Sequence, residues 1–212
     1  MIRSAESTYR KYYQYTWDRP IRRRPPRNVE AKDLVLHVLF ICTGNICRSP
    51  TAERLAIAYA DQHAIPHISA SSAGTRAVIG HGIHHDAANV LEQLGGDPTG
   101  FAARQLTTKI AAAADLIVTM TSAHRDLVLE GAPRQLQRTF TLTEIARLAS
   151  LVGAERIGDL AALRPHMSAS QIPDVPDPIG QSSEIFAAVG LQIAELLPPI
   201  LELCRRSIIT DR

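Results

Sequence analysis

The chain has 212 residues, 45% of them apolar, which suffices for one domain with a real core and is ordinary for a soluble protein. Net charge is +2, but residues 1–32 hold nine Lys/Arg against three Asp/Glu, so the basic character belongs to an N-terminal arm and no nucleic-acid partner is expected of the domain at 33–212. Apolar stretches read as strand-length, no apolar leader opens the chain, and three cysteines make no disulfide framework, so neither a membrane span nor a secretory signal is expected.

Tyr9, Tyr12, Tyr13, Tyr15 and Trp17 cluster in the arm, followed by Arg22-Arg23-Arg24-Pro25-Pro26-Arg27. The prolines argue against regular structure there. A loosely docked tail, a contact arm for an acidic partner or membrane face, and a tyrosine-phosphorylation cluster are its three readings. Leu34 to Ile41 is apolar except for His37 and predicts a strand covered on both faces. Next come Cys42-Thr43-Gly44-Asn45-Ile46-Cys47-Arg48-Ser49-Pro50, and then helical periodicity to about His63 through Ala52, Leu55, Ala56 and Tyr59.

Strand, loop and helix in that order put the loop where helix N–H groups lack partners and the helix dipole favours negative charge. Residues 43–49 therefore read as an anion-binding loop. A field of N–H dipoles favours the thiolate of Cys42. Arg48, six residues on, offers a planar fork that suits two phosphate oxygens. Ser49 can donate to the thiolate. The set is arranged for attack on phosphorus, with no metal and no cofactor required. Cys47 reads either as a partner in a reversible disulfide that protects Cys42 or as a small packing residue.

The segment Cys42-Thr43-Gly44-Asn45-Ile46-Cys47-Arg48-Ser49-Pro50 resembles the phosphate loop of low-molecular-weight protein tyrosine phosphatases, and the resemblance runs from about Leu34 to the C-terminal helix. It implies a three-layer αβα fold with a central four-stranded parallel sheet. It also implies hydrolysis of protein phosphotyrosine, a phosphorylated protein substrate supplied by a tyrosine kinase, and a Cys42 nucleophile.

Ile68 to Ala73 reads as the second strand and ends in Ser71-Ser72-Ala73-Gly74-Thr75, where the resemblance makes Ser72 the brace of Asn45. His81, His84, His85 and Asp86 have metal-like spacing, but an exposed first turn of a helix running to Gly95-Gly96 explains them, and no metal is expected. Ala102-Ala103-Arg104-Gln105 matches the family's Ala-Arg-Gln segment. Phe101 stands where a His is common, which implies a missing buried polar brace. Asp115 to Met120 reads as the third strand. Thr121 then replaces a common Asp, and Ser122 can cap the next helix. Gln137 to Leu142 is the candidate fourth strand and Thr143 to Leu151 a helix; residues 152–172 are ambiguous. A last helix carries Phe186, Val189, Ile193 and Leu197 on one face, and Pro198-Pro199 is expected to kink or break it. Cys204 reads as a structural or surface residue. Alternating strands and helices independently predict a parallel sheet with helices on both faces and a ligand site at the strand carboxyl ends.

A thiolate attack expels an alkoxide or phenoxide, so a proton donor is needed. Pro173-Asp174-Val175-Pro176-Asp177-Pro178 is a stiff acidic loop. Asp177-Pro178 resembles the family's general acid, with Asp174 the second candidate. Ile179-Gly180 follows where two aromatic residues are common, which puts phosphotyrosine selectivity in question. The rivals are a protein-arginine phosphatase, which tends to have Thr where Ile46 stands, an arsenate reductase, which needs a thiol relay, and a non-catalytic phosphate-binding module. A working thiolate points to a reducing, cytoplasmic compartment.

Overall fold

The computed structural model describes residues 35–167 and 172–210. The N-terminal arm and the readings attached to it lie outside the described residues. Four strands form one parallel sheet: β1 Leu36–Cys42, β2 Ile68–Gly74, β3 Leu116–Thr119 and β4 Thr139–Thr141, in the spatial order β2-β1-β3-β4. The long apolar run explains why β1 is central. Val38, Leu39, Phe40 and Ile41 are fully buried, which a strand at a sheet edge or with a wet face does not need.

Alternate β1 side chains serve opposite layers. Leu39 and Ile41 join Ile117, Ala111 and Val128 in a cluster under α3 (Thr108–Ala112) and α4 (Ser122–Gly131). On the other side α1 (Arg48–Gln62) packs on β1 and β2, and a long α7 (Ser183–Thr210) packs on α1, on α2 (His85–Gln93) and on α5 (Leu142–Arg147). The layers are those of the expected three-layer αβα fold. Gly190 allows a close approach within this layer, since a Cβ there would meet Val90 Cγ1 at 2.3 Å.

Three expectations are corrected. The break expected at Pro198-Pro199 is absent, since α7 is helical through both. The carbonyls of Ala194 and Glu195 lose their usual donors, but Leu197, Ile200 and Leu201 are fully buried and hold the helix in register. Apolar stretches are not all strand-length, because Ser183–Ile208 is long and apolar enough to cross a membrane. Within it Val189, Ile193, Leu197, Ile200, Leu201 and Cys204 are buried. Finally, Thr121 and not Ser122 caps α4: its backbone is extended and its hydroxyl accepts the His124 N–H, whereas Ser122 is already helical.

The ambiguous stretch resolves into short pieces. Helix α5 continues as a π turn at Leu148–Val152 and stops at Gly153, which has a φ of 82°. Short turns at Ile157–Asp159 and Arg164–His166 flank α6 (Leu160–Leu163). Arg164 pins this segment down. Its Nε donates to the buried carboxylate of Glu144 at 2.6 Å, and its guanidinium lies over the Phe140 ring.

Candidate active site

The carboxyl end of β1 is where neighbouring strands leave in opposite senses, β2 to one side and β3 to the other. Such a switch point opens a crevice beyond the strand ends. Cys42 stands at its floor, 2% exposed. Residues 43–47 then turn into α1.

The loop's carbonyls are tied outward one after another. Thr75 N–H donates to Cys42 O at 2.9 Å, Arg76 N–H to Thr43 O at 3.0 Å, Val78 N–H to Gly44 O at 2.9 Å, His84 N–H to Ile46 O at 2.7 Å and Thr51 N–H to Cys47 O at 3.1 Å. A planar trans peptide points its N–H opposite to its C=O. Fixing the carbonyls on the convex side therefore turns the N–H groups of Thr43, Gly44, Asn45, Cys47 and Arg48 toward the concave side. The result is a nest of backbone donors of the kind that holds an oxyanion. Gly74 makes the tight packing possible, since a Cβ there would lie 2.5 Å from Thr43 O.

Asn45 takes the left-handed conformation, φ 56°, that this turn requires. Its buried side chain is fully used: Nδ2 donates to Ser49 Oγ at 2.9 Å and to Ser72 Oγ at 2.8 Å, and Oδ1 accepts the Arg104 N–H at 2.9 Å. Ser49 Oγ lies 2.9 Å from Cys42 Sγ. Ser72, in β2, thus touches Asn45, and its own hydroxyl donates to Glu53 Oε2 at 2.6 Å. Glu53, in α1, drew no notice in the sequence, because its partner lies on β2. At Phe101 the ring lies under the Arg54 guanidinium, and Glu53 accepts the Ser72 hydroxyl proton.

Arg48 is 4% exposed. Its guanidinium donates to Val175 O at 3.1 Å and to Asp177 Oδ2 at 2.5 Å. The acid loop is thereby drawn onto the phosphate loop. The two candidate carboxylates part ways: Asp177 reaches Arg48, while Asp174 accepts the Ser122 N–H at 2.8 Å and the Ser122 hydroxyl at 3.2 Å. Ile179 and Gly180 follow Asp177 at the surface, Ile179 exposed.

A second side chain escaped the sequence reading. His124 bridges Thr43 Oγ1 at 2.9 Å and Thr121 Oγ1 at 2.8 Å. Burial, and next the nearby Arg48 charge, push its imidazole down to about 4. The Thr121-to-His124 spacing on one helix turn was the available signal. Cys47 is buried, and burial followed by the charge of Cys42 pushes its thiol up to about 12. Cys204 is enclosed in α7, away from the loop, and burial pushes it to about 12 as well. The expected exposed first turn of α2 is partly corrected. His85 is exposed, but His84 is half-buried and stacks on Phe186 at 4.9 Å, and its N–H holds the phosphate loop. Asp86 Oδ2 lies 3.2 Å from His85 Nε2 and 3.8 Å from His84 Nδ1.

Comparison with known proteins follows the same lines. Residues 37–151 match the family model of the low molecular weight phosphotyrosine protein phosphatases. The low molecular weight protein-tyrosine-phosphatase Wzb of Escherichia coli (strain K12) is 33% identical over 153 residues, which cover 72% of this chain and 84% of that protein. A putative low molecular weight protein-tyrosine-phosphatase of Klebsiella pneumoniae is 31% identical, covering 72% of this chain and 85% of its own. Among solved structures, a low molecular weight protein tyrosine phosphatase from T. tengcongensis superposes with a TM-score of 0.64 at 27% identity, covering 79% of this chain and 98% of that one. The YwlE arginine phosphatase from Geobacillus stearothermophilus gives 0.62 at 27%, covering 79% and 91%. The family match ends at residue 151, before the acid loop.

Proposed function

Because the chain belongs to the low molecular weight phosphotyrosine protein phosphatase family, we propose that it hydrolyses phosphotyrosine in proteins through a cysteinyl-phosphate. The Cys42 thiolate attacks phosphorus and forms the S–P bond as the P–O bond to the leaving group breaks. Asp177 delivers a proton to the leaving oxygen. The N–H groups of residues 43–48 and the Arg48 fork hold the equatorial oxygens. Asp177, now ionised, takes a proton from water, which attacks phosphorus and releases Cys42. Ser49 donates to the thiolate as it leaves.

The observation that carries this reading is the convergence on one crevice of Cys42, Arg48 and Asp177, with Asp177 Oδ2 2.5 Å from the Arg48 guanidinium. A phosphoryl group in the nest competes for the same guanidinium and frees Asp177 for the leaving oxygen. The proposed substrate is a phosphoprotein made by a tyrosine kinase, and the proposed compartment is the reducing cytoplasm, which keeps the thiolate from oxidation.

Hydrolysis of a small aryl phosphate by the wild type, Cys42→Ser and Asp177→Asn tests the proposal. Turnover lost in the first variant and much reduced in the second is the expected result. A wild type that binds phosphate without turnover is instead a phosphate-binding relative of the family.

A protein-arginine phosphatase is the second reading. Ile179-Gly180 favours it, because no aromatic pair follows Asp177-Pro178 to flank a phenyl ring. Ile46 weighs against it. Comparing kcat/KM on matched phosphotyrosine and phosphoarginine peptides separates the two. Arsenate reduction is disfavoured, since Cys204, a relay thiol it would draw on, is fully buried in α7.

A further inference from the structure

Hydrogen-bond direction around the nucleophile is set by groups that can act in only one way. A carboxylate accepts and never donates; a backbone N–H donates and never accepts. Glu53 lies at one end of the buried chain, with Oε2 taking the Ser72 hydroxyl proton at 2.6 Å. Ser72 Oγ then has only lone pairs to offer, and it accepts from Asn45 Nδ2 at 2.8 Å. The Arg104 N–H, on Asn45 Oδ1 at 2.9 Å, fixes the same amide from its other side. Nδ2 must therefore donate its second proton to Ser49 Oγ, at 2.9 Å. Ser49 has its own proton left, and Cys42 Sγ stands 2.9 Å away.

We propose that Glu53 is a positioning residue for the nucleophile: by taking the Ser72 proton it sets the donor direction of the chain Ser72–Asn45–Ser49, so that the Ser49 hydroxyl points at the Cys42 sulfur. Asn45 and Ser49 are fully buried and Ser72 is 1% exposed, so no bulk water can substitute for a lost acceptor. Without Glu53 the Ser72 proton has no acceptor and is free to turn toward Asn45, which sets the amide against the Arg104 N–H. The charges facing Glu53 are Arg54, with Nε 3.4 Å from Oε1, and Arg104, whose Nε donates to Ser72 O at 2.7 Å. Burial raises the Glu53 carboxyl above its ordinary value, with those partners opposing it. The inference rests on Cys42 as the nucleophile of the proposed reaction.

The test follows the pH dependence of Cys42 alkylation by iodoacetamide, together with kcat and KM on an aryl phosphate, in the wild type, Glu53→Gln, Glu53→Leu and Ser72→Ala. Alkylation does not need turnover, so it reports positioning even if the wild type proves inactive. Cys47 and Cys204 are buried thiols pushed up to about 12, so neither competes for the reagent. Glu53→Leu is expected to move half-maximal alkylation up by about one pH unit. It is expected to lower kcat about tenfold while KM stays within about twofold. Glu53→Gln, whose amide oxygen can take the Ser72 proton, restores most of both. Ser72→Ala moves them in the same direction as Glu53→Leu and serves if that variant does not fold. Wild-type alkylation and kcat in a folded Glu53→Leu or in Ser72→Ala overturn the proposal. So does a Glu53→Gln as impaired as Glu53→Leu, which makes the role one of charge alone.

Discussion

The phosphate loop and the acid loop meet at Arg48 but are held in contrasting ways. The first is enclosed: five of its carbonyls are bonded outward, and Asn45 spends every polar atom of its side chain on neighbours. The second is tied, among the described residues, by hydrogen bonds from Val175 N–H to Met120 O, from Ser122 to Asp174, and from Arg48 to Val175 O and Asp177. The Asp177 side chain is 48% exposed. The difference separates two tasks. In the proposed reaction backbone donors must be in place before charge develops on phosphorus, whereas the proposed acid, Asp177, has to follow a proton to a leaving group and back.

Substitutions that touch one loop and spare the other sharpen this contrast. Asp177→Asn carries the largest effect, a fall in kcat of about 10²–10⁴ with the thermal midpoint unchanged. A matching loss of stability breaks the contrast, because the acid loop is then part of the scaffold. Gly74→Ala acts on the other side. Its Cβ would press on Thr43 O at 2.5 Å, so stability falls by about 3 kcal/mol in urea unfolding and activity falls with it. A fully active Gly74→Ala would show that the nest tolerates movement. His124 ties the enclosed loop to α4 and yields a pH signature. Its folded value is about 4 against 6.5 for the free group, so the unfolded chain binds more protons between those values. Stability is therefore full above pH 6.5 and is lost as pH falls toward 4, by of order 2 kcal/mol, and His124→Asn flattens that slope. Asp174→Ala has the smallest effect: it loosens the anchor on Ser122, lowers kcat about tenfold, and leaves KM and the midpoint in place.

What the sequence reveals follows the range of the contacts involved. The apolar run of β1 and the Cys42-to-Arg48 spacing are local patterns, and both are in the structure, whereas Pro50, which proline geometry puts at the first helical position, is the third residue of α1. The anion loop is legible because its chemistry lies within a few consecutive residues. Glu53 and His124 are not legible in that way. Glu53 meets Ser72 across 19 positions and His124 meets Thr43 across 81, so only the packing of α1 on β2 and of α4 on β3 brings them together. Pro198-Pro199 shows the opposite case. A strong local signal for a break is overridden by burial of the residues on either side. Asp174 and Asp177 look alike in a proline-rich loop, and only the direction of each side chain separates an anchor from a partner of Arg48.

The outward-facing carbonyls have an evolutionary consequence. Because the nest is made of main chain, the oxyanion hold proposed for it rests on backbone N–H groups and not on the side chain at Ile46, a half-buried position whose carbonyl is held by the His84 N–H. That position can drift without dismantling the catalytic apparatus. Selection for a new leaving group therefore has somewhere to act, and a lineage can exchange one phosphorylated side chain for another by changing the rim while the reactive centre is inherited intact.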